Sequence, residues 1–205
     1  MTKILFQGDS ITDCGRNRND PADCGPGYPG KVKGYLDLFF PGMFEVVNRG
    51  ISGNRTVDLA ARWKEDCLDI KPDVLSILIG INDTWRRYDR NLVTTAEEFE
   101  KNYRYLLTSV RQALPDTKIL LMVPFLLPVV DEREKWRVDL DPKKNIVKKL
   151  AVEYGTDLIA LDGLLARMCT REAPAYWAAD GVHPTDAGHG IIARKWLESR
   201  GLLCV

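Results

Sequence analysis

The residues best suited to chemistry are a serine near the start of the chain and a histidine near its end. Ser10 lies in Gly8-Asp9-Ser10-Ile11-Thr12, directly after an apolar run, and His183 lies in Asp180-Gly181-Val182-His183-Pro184. A serine hydroxyl is a poor nucleophile at neutral pH and needs a neighbouring base to accept its proton. Asp180 can hold the other ring nitrogen of His183 and stabilise the imidazolium. The pattern therefore predicts an acyl-transfer site built from these three side chains.

The sequence contains two histidines, and their surroundings separate them. Pro184 and Thr185 indicate the end of a loop and a helix cap, which leaves His183 outside the helix. His189 falls in the first turns of that helix, where we expect a surface or packing role. We therefore assign the role of general base to His183.

An acyl-transfer site also needs preset donors for the negative charge that develops on the carbonyl oxygen. The backbone N–H groups of Ser10 and Gly53 and the side-chain amide of Asn82 are the candidates, since Gly53 and Asn82 each follow a later apolar run. Each segment alone is also typical of an ordinary turn, because Gly, Asn, Asp and Ser are common turn residues. Three such segments after successive strands favour an oxyanion site.

The elements that must position these residues alternate along the chain. Apolar, β-branched-rich runs predict five strands: Lys3–Gln7, Phe44–Asn48, Asp73–Ile79, Lys118–Phe125 and Asp157–Leu161. Segments with helical period lie between or after them: Gly30–Phe40, Thr56–Ile70, Thr95–Leu114, Pro142–Tyr154 and Ala187–Arg200. Nearly continuous apolar runs are typical of parallel strands covered on both faces. We therefore expect one three-layer α/β/α domain over residues 1–205 with a five-stranded parallel sheet and its site at the strands' carboxyl ends.

Composition narrows the classes of protein further. The chain has 205 residues, with 29 Lys plus Arg against 29 Asp plus Glu, and this balance argues against nucleic acid as the main ligand. The apolar stretch Ile119–Val130 falls short of the ~20 residues of a membrane helix. A polar motif directly after the first apolar run leaves no room for a secretory signal, and five scattered cysteines without a C-x-x-C pair fit neither a disulfide framework nor a zinc site. We expect a soluble, cytoplasmic protein without metal or cofactor.

Two well-known glycine motifs do not support other functions or folds for this sequence. Gly25–Gly30 spells G-x-G-x-x-G but follows a polar loop rather than a strand, so a dinucleotide site is not expected. The absence of G-x-S-x-G argues against the α/β-hydrolase fold.

Asp9 is predicted to hydrogen-bond the loop that carries Ser10. Asp9 and three aromatic residues that flank the motifs are candidate pocket residues, with core packing as the alternative for the aromatic ones: Tyr28, Trp85 and Trp177.

The four motifs together resemble those of the SGNH hydrolases, the GDSL esterase/lipase family. The serine, glycine, asparagine and Asp-x-x-His blocks of that family are matched, in order, by Gly8–Thr12, Asn48–Gly53, Gly80–Asp83 and Asp180–Pro184. The resemblance implies a flavodoxin-like sheet and a metal-free serine esterase mechanism. It also implies roles for five residues: Ser10, Gly53, Asn82, Asp180 and His183. The segments Asn48–Asn54 and Ile79–Trp85 look most similar to bacterial acetylxylan-esterase-like members.

The expected function is hydrolysis of short-chain acyl esters, acetyl above all, of carbohydrates or small alcohols through an acyl-enzyme. The substrate is then a small-molecule ester, with acetylated oligosaccharides as one candidate, and no nucleic acid or membrane partner is expected. Two alternatives from the same family are a lysophospholipase and an acyl-CoA thioesterase, the latter using the basic cluster Arg86, Arg87 and Arg90. A third alternative is a catalytically silent binding module. The sequence leaves the oligomeric state open.

Overall fold

Five parallel strands form one sheet at the centre of the computed structural model, which describes residues 1–203. The strands are β1 (Thr2–Gly8), β2 (Phe44–Asn48), β3 (Val74–Leu78), β4 (Lys118–Met122) and β5 (Asp157–Ile159). Their order across the sheet is β2-β1-β3-β4-β5, and every neighbouring pair is parallel. The predicted five-stranded parallel sheet is confirmed, with the strand order of flavodoxin-like folds.

Helices cover both faces of the sheet. They are α1 (Ser10–Asp13), α2 (Tyr28–Phe39), α3 (Thr56–Ala61), α4 (Ile81–Asp89), α5 (Ala96–Ala113), α6 (Arg137–Glu153), α7 (Leu161–Met168), α8 (Pro174–Trp177) and α9 (Asp186–Ser199). A π-helical turn spans Lys64–Leu68, and a 3₁₀ turn spans Asp131–Trp136. None of the helices described is long and apolar enough to cross a lipid bilayer.

Two hydrophobic cores explain why the strands read as continuous apolar runs. Successive residues of a strand point to opposite faces, and in β1 Ile4 and Phe6 pack in one core while Leu5 packs in the other. Helices α2 and α9 pack together on the first face, and α3, α5 and α6 pack on the second. Both faces of the central strands are therefore buried, and Gln7 of β1 and Ser76 of β3 are polar residues within them.

Some predicted elements differ from the observed ones. Strand β4 ends at Met122 instead of Phe125, because Pro124 has no N–H for the ladder. The predicted helix Thr56–Ile70 is broken into α3 and the π-helical turn. At the junction the Arg62 guanidinium donates to Arg49 O and to the side chains of neighbouring residues.

One helix starts earlier than predicted, and two others start close to their predicted caps. Helix α6 begins at Arg137, five residues before the predicted start, with Pro142 inside it. The start of α9 agrees closely, since Thr185 Oγ1 accepts from Gly188 N at 3.2 Å as a capping side chain does. Thr95 caps α5 in the same way, through a bond of 3.1 Å from Glu98 N.

The strand order determines where a site can form. The chain runs from β1 to β2 on one side of the sheet and then returns to β3 on the other side, so β1 lies between its neighbours β2 and β3. A crevice for a ligand forms at such a switch point, outside the carboxyl ends of the strands. Gly8 is in register with Leu78 and Phe6 with Asn48. The three segments that follow β1, β2 and β3 therefore meet at this edge.

Candidate active site

A serine, a histidine and an aspartate form a connected chain of hydrogen bonds at the switch point. Ser10 Oγ lies 3.0 Å from His183 Nε2, and His183 Nδ1 lies 3.0 Å from Asp180 Oδ2. Both bonds are within the range for nucleophile–base and base–carboxylate pairs. The structure thus brings together the three side chains that the sequence predicts for acyl transfer.

The Asp180 carboxylate is held by four donors. Oδ1 accepts from the backbone N–H groups of Val182 and His183, at 3.0 and 2.7 Å. Oδ2 accepts from His183 Nδ1 and from Arg133 Nη1, the latter at 2.9 Å. Partial burial raises the pKa of Asp180, but the bonds from His183, Arg133 and Val182 outweigh it and hold the pKa well below its usual range. Asp180 is therefore ionised at neutral pH.

The imidazole of His183 responds to that charge. Its hydrogen bond with Asp180 raises the pKa of His183 above 6.5, although desolvation opposes the shift. A carboxylate that accepts from Nδ1–H leaves Nε2 as the unprotonated nitrogen of the neutral ring. That nitrogen is the one that faces Ser10, so the tautomer suits proton abstraction from the hydroxyl.

The turn after β1 positions Ser10 at the start of α1. Asp9 caps this short helix, and its Oδ1 accepts from Ile11 N at 3.0 Å. This placement is the loop-holding role expected of Asp9. The Asp9 side chain is buried, and burial raises its pKa to about 7. Gly8 has no room for a side chain, because a Cβ there would lie 2.4 Å from the carbonyl oxygen of Leu78.

Three N–H donors are available near the nucleophile. The backbone N–H groups of Ser10 and Gly53 donate to no acceptor among residues 1–203. The Asn82 side chain donates one amide hydrogen to Asn54 O, at 3.2 Å, and its Oδ1 accepts from Arg86 Nη2 at 3.3 Å. These two contacts fix which end of the amide is nitrogen and leave its second N–H free. The donor set has the composition of an oxyanion hole.

A buried carboxylate joins the glycine and asparagine blocks. Asp83 follows Asn82 and accepts from Thr56 twice, from Oγ1 at 2.6 Å and from the backbone N–H at 2.9 Å. Burial raises the pKa of Asp83 to about 6, and the two bonds from Thr56 oppose the shift. The start of α3 is therefore tied to the start of α4, which keeps Gly53 and Asn82 on the same side of the crevice.

The second histidine forms no second nucleophile–base pair. His189 Nε2 lies 3.3 Å from Cys14 Sγ, a contact that resembles a catalytic pair. However, His189 Nδ1 accepts from the backbone N–H of Tyr28 at 3.1 Å. The neutral ring must therefore carry its hydrogen on Nε2 and donate to the sulfur, so it cannot remove the thiol proton. Desolvation lowers the pKa of His189 to about 4, and it raises the pKa of Cys14.

The aromatic candidates divide into core residues and one residue at the site. Tyr28 has no exposed surface, and its Oη bonds to Thr12 Oγ1 at 2.9 Å. Trp177 is also buried in the core on that face. Neither side chain is placed to line a pocket, because both are buried in the core. Trp85 is partly exposed, and its ring centroid lies 5.7 Å from that of His183.

Two residues at the site were missed by sequence reasoning. Arg133 donates to Asp180, and Trp136 packs against Trp85 with 5.2 Å between ring centroids. Both belong to the 3₁₀ turn. The only signal for them was a charged and aromatic segment close after the apolar run of β4, which by itself does not indicate a site.

Comparisons with known proteins agree with this geometry. The sequence matches the model of the GDSL-like lipase/acylhydrolase family over residues 6–191. It is 40% identical to an acetylxylan esterase of Geobacillus stearothermophilus, over 97% of this chain and 94% of that protein.

Solved structures of proteins from this family are also similar to this chain. The crystal structure of Axe2, an acetylxylan esterase from Geobacillus stearothermophilus, has a TM-score of 0.88 at 38% identity, over 98% of this chain and 94% of that one. A protein from Parabacteroides merdae described as a GDSL-like lipase has a TM-score of 0.94 at 38% identity, over 98% of this chain and 96% of that one. Variants of Axe2 in which a serine or a histidine is replaced by alanine are described as catalytic mutants. The chain therefore belongs to the GDSL-like lipase/acylhydrolase family.

Proposed function

We propose that this protein is a serine esterase that removes acetyl groups from acetylated carbohydrates or small alcohols through an acyl-enzyme. The observation that carries the proposal is the hydrogen-bonded chain from Ser10 Oγ through His183 to Asp180. A hydroxyl 3.0 Å from an imidazole that is itself oriented by a carboxylate is the arrangement that activates a serine.

In the first half of the reaction Ser10 Oγ adds to the ester carbonyl carbon while His183 Nε2 takes the hydroxyl proton. The negative charge on the carbonyl oxygen is bound by the N–H groups of Ser10 and Gly53 and by the free amide hydrogen of Asn82. The imidazolium then gives its proton to the departing alcohol oxygen, and the acyl group remains on Ser10.

In the second half a water molecule replaces the alcohol. His183 Nε2 accepts a proton from water as its oxygen adds to the acyl carbon, and the same three donors bind the oxyanion. The proton returns to Ser10 Oγ as the carboxylic acid leaves. Asp180 stays ionised throughout, orienting His183 and stabilising its charged form.

Two observations favour an acetylated carbohydrate over a lipid as the substrate. The relative that is 40% identical over 97% of this chain is an acetylxylan esterase. The segment between α1 and α2 is mostly polar, and residues 17–22 are exposed or half-buried. Such a polar, exposed segment is suited to contact with water and sugar hydroxyls rather than with acyl chains.

Two of the three arginines suggested for a thioesterase, Arg86 and Arg87, are bound to other side chains of the protein. Arg86 is paired with Asp89 and donates to Asn82. Arg87 Nη1 donates to Asp139 at 2.5 Å. Guanidinium groups with carboxylate partners are less available to the phosphates of coenzyme A, so these contacts count against the thioesterase alternative.

The proposal is tested by acetate release from acetylated xylo-oligosaccharides beside 4-nitrophenyl acetate, octanoate and palmitate. We expect turnover of the acetyl sugars and of the aryl acetate, with activity falling as the acyl chain lengthens. Ser10→Ala should lose about 10⁵-fold or more in kcat with an unchanged melting temperature. Ser109→Ala, on α5, is the matched control and should remain active. Preference for the long acyl chains would overturn the acetyl assignment.

We further propose that the protein acts in the cytoplasm. The four cysteines among residues 1–203 are all free thiols: Cys14, Cys24, Cys67 and Cys169. Unpaired cysteines are typical of proteins in reducing compartments. Cell fractionation with an antibody against the protein tests this, and recovery from the culture medium or the periplasm would contradict it.

A further inference from the structure

An arginine outside the four motifs is bonded directly to the aspartate of the site. Arg133 Nη1 donates to the backbone O of Asp180 at 2.7 Å and to its Oδ2 at 2.9 Å. Its side chain is 18% exposed. A partly buried, charge-assisted bond of this kind is stronger and better ordered than a surface ion pair.

The guanidinium is also held by aromatic rings. Its central carbon lies 4.4 Å from the ring centroid of Trp85 and 5.1 Å from that of Trp136. A guanidinium plane stacks well on aromatic faces, whereas an ammonium group does not offer the same planar contact. Because Trp85 is the ring beside His183, Arg133 contacts two of the groups next to the imidazole, Trp85 and Asp180.

Backbone contacts fix the segment that carries Arg133 against the loop that carries Asp180. Leu127 N donates to Gly181 O at 2.8 Å. Gly181 has φ +84°, and a Cβ there would lie 2.4 Å from Leu127 O. The chain after β4 and the Asp180 loop therefore form one packed unit, in which Arg133 has a defined place.

We propose that Arg133 is a positioning residue whose guanidinium holds the Asp180 carboxylate in the orientation that His183 requires. The inference rests on the proposed function, since it takes Ser10, His183 and Asp180 as the reacting groups. Oδ1 is occupied by two backbone N–H groups and Oδ2 by His183 and Arg133, so the carboxylate cannot rotate without losing bonds. Without Arg133, one side of Oδ2 would be open to water, and the carboxylate would have more freedom.

The positive charge has a second, measurable consequence at the imidazole. Four titratable or charged groups act on His183 or are coupled to it: Asp180 in its own loop, Asp9 before α1, Arg133 in the 3₁₀ turn and His189 in α9. The two carboxylates raise the pKa of His183, and Arg133 lowers it. Removal of the guanidinium charge by itself therefore raises the pKa of His183, whereas a loosened Asp180 carboxylate lowers it, because the bond with Asp180 is the main cause of the raised pKa.

The test uses NMR titration of the histidine Cε1–H resonances, which is practical because the chain has two histidines. In Arg133→Gln the lost charge raises the pKa of His183 while the loosened Asp180 lowers it, so this pKa should lie above that of Arg133→Lys. The kcat of Arg133→Gln on 4-nitrophenyl acetate should fall between about 10- and 100-fold at the pH optimum. Arg133→Lys keeps the charge but not the planar fork, so the pKa of its His183 should fall below the wild-type value as the bond with Asp180 weakens, and kcat should fall as well.

Controls make the outcome unambiguous. Arg194→Gln removes an exposed arginine of α9 and should change neither quantity. If Arg133→Gln does not fold, Arg133→Met removes the same charge with a side chain that packs on both indole rings, and its His183 pKa should likewise lie above that of Arg133→Lys. A wild-type His183 pKa in Arg133→Lys overturns the inference, whatever its kcat. A failure of the proposed function would instead be visible in the wild type, as absent ester hydrolysis, while the NMR titration would still report on Arg133.

Discussion

Arg86 and Asn82 lie one helical turn apart in α4, and the guanidinium Nη2 donates to Asn82 Oδ1 at 3.3 Å. With Asn82 Nδ2 bonded to Asn54 O, the amide cannot rotate by half a turn without losing both contacts. The remaining amide hydrogen is therefore held ready before any substrate binds, as electrostatic stabilisation of an oxyanion requires.

This arrangement predicts the effect of Asn82→Ala. Loss of one oxyanion donor should lower kcat about 10²- to 10³-fold with little change in KM, because the donor acts mainly in the transition state. Asn19→Ala, in the exposed loop before α2, is the control and should be fully active. Steady-state kinetics on 4-nitrophenyl acetate measure both, and a variant of Asn82 with unaltered kcat would show that the amide is not a donor.

The contact between Asp180 and His183 predicts the pH dependence. Because Asp180 raises the pKa of His183, the acidic limb of kcat/KM should have its midpoint above pH 6.5, with activity rising as the imidazole loses its proton. Asp180→Asn removes that charge, so the limb should move to lower pH while kcat falls by as much as about 10⁴-fold. A limb that stays in place in Asp180→Asn would mean that another group titrates.

Three of the four motifs predicted their part of this site because each follows a strand, and parallel strands that are neighbours bring their carboxyl ends to one edge. Ser10, Gly53 and Asn82 could be placed from that rule and from their residue types. His183 could be separated from His189 because Thr185 marks a helix start between them. These inferences needed only local patterns and the topology.

Other features depended on packing over long distances, which local patterns do not contain. Arg133 contacts Asp180 across 47 residues, from an irregular turn without periodicity. Tyr28 and Trp177 lie beside motifs in the sequence, but only the packed structure shows that they point into the core. The sequence pattern predicts a helix start at Pro142, but the bonds of Arg137 to Leu126 O and Asp162 hold an extra helical turn before it.

Asp9 should give an unusual dependence of stability on pH. Its pKa in the folded protein, about 7, lies above the ordinary 3.8, so the fold favours the protonated form. The stabilising contribution of Asp9 is complete below about pH 4 and is lost as the pH rises toward 7. Asp9→Asn keeps an oxygen for Ile11 N and cannot ionise. The melting temperature of this variant relative to that of the wild type should therefore be higher at pH 7.5 than at pH 4.

Thermal unfolding of Asp9→Asn and of the wild type at pH 4 and at pH 7.5 measures this change in relative melting temperature. Asp186→Asn serves as the control, because Asp186 is an exposed carboxylate whose pKa is lowered by its bond with Lys31. It should show no gain at the higher pH. An equal difference between Asp9→Asn and the wild type at both pH values would contradict a raised pKa for Asp9.

Gly181 should tolerate no side chain. Gly181→Ala combines a positive φ, which costs an L-residue about 1–2 kcal/mol, with a Cβ only 2.4 Å from Leu127 O. Gly155→Ala is the matched control, since Gly155 also has a positive φ, +59°, but open space around it. Urea unfolding should show a larger loss of stability for Gly181→Ala, and only that variant should lose kcat, because the Asp180 loop must move. Equal effects in the two variants would show that the contact with Leu127 is unimportant.

The most direct measurement of the central claim is covalent labelling of the nucleophile. Incubation with a fluorophosphonate, followed by intact mass and peptide mapping, should show one phosphonyl group per chain, attached to Ser10. His183→Ala should react far more slowly, since the base that activates the hydroxyl is gone. An unmodified wild-type protein, or a phosphonyl group on any side chain other than Ser10, would contradict the account.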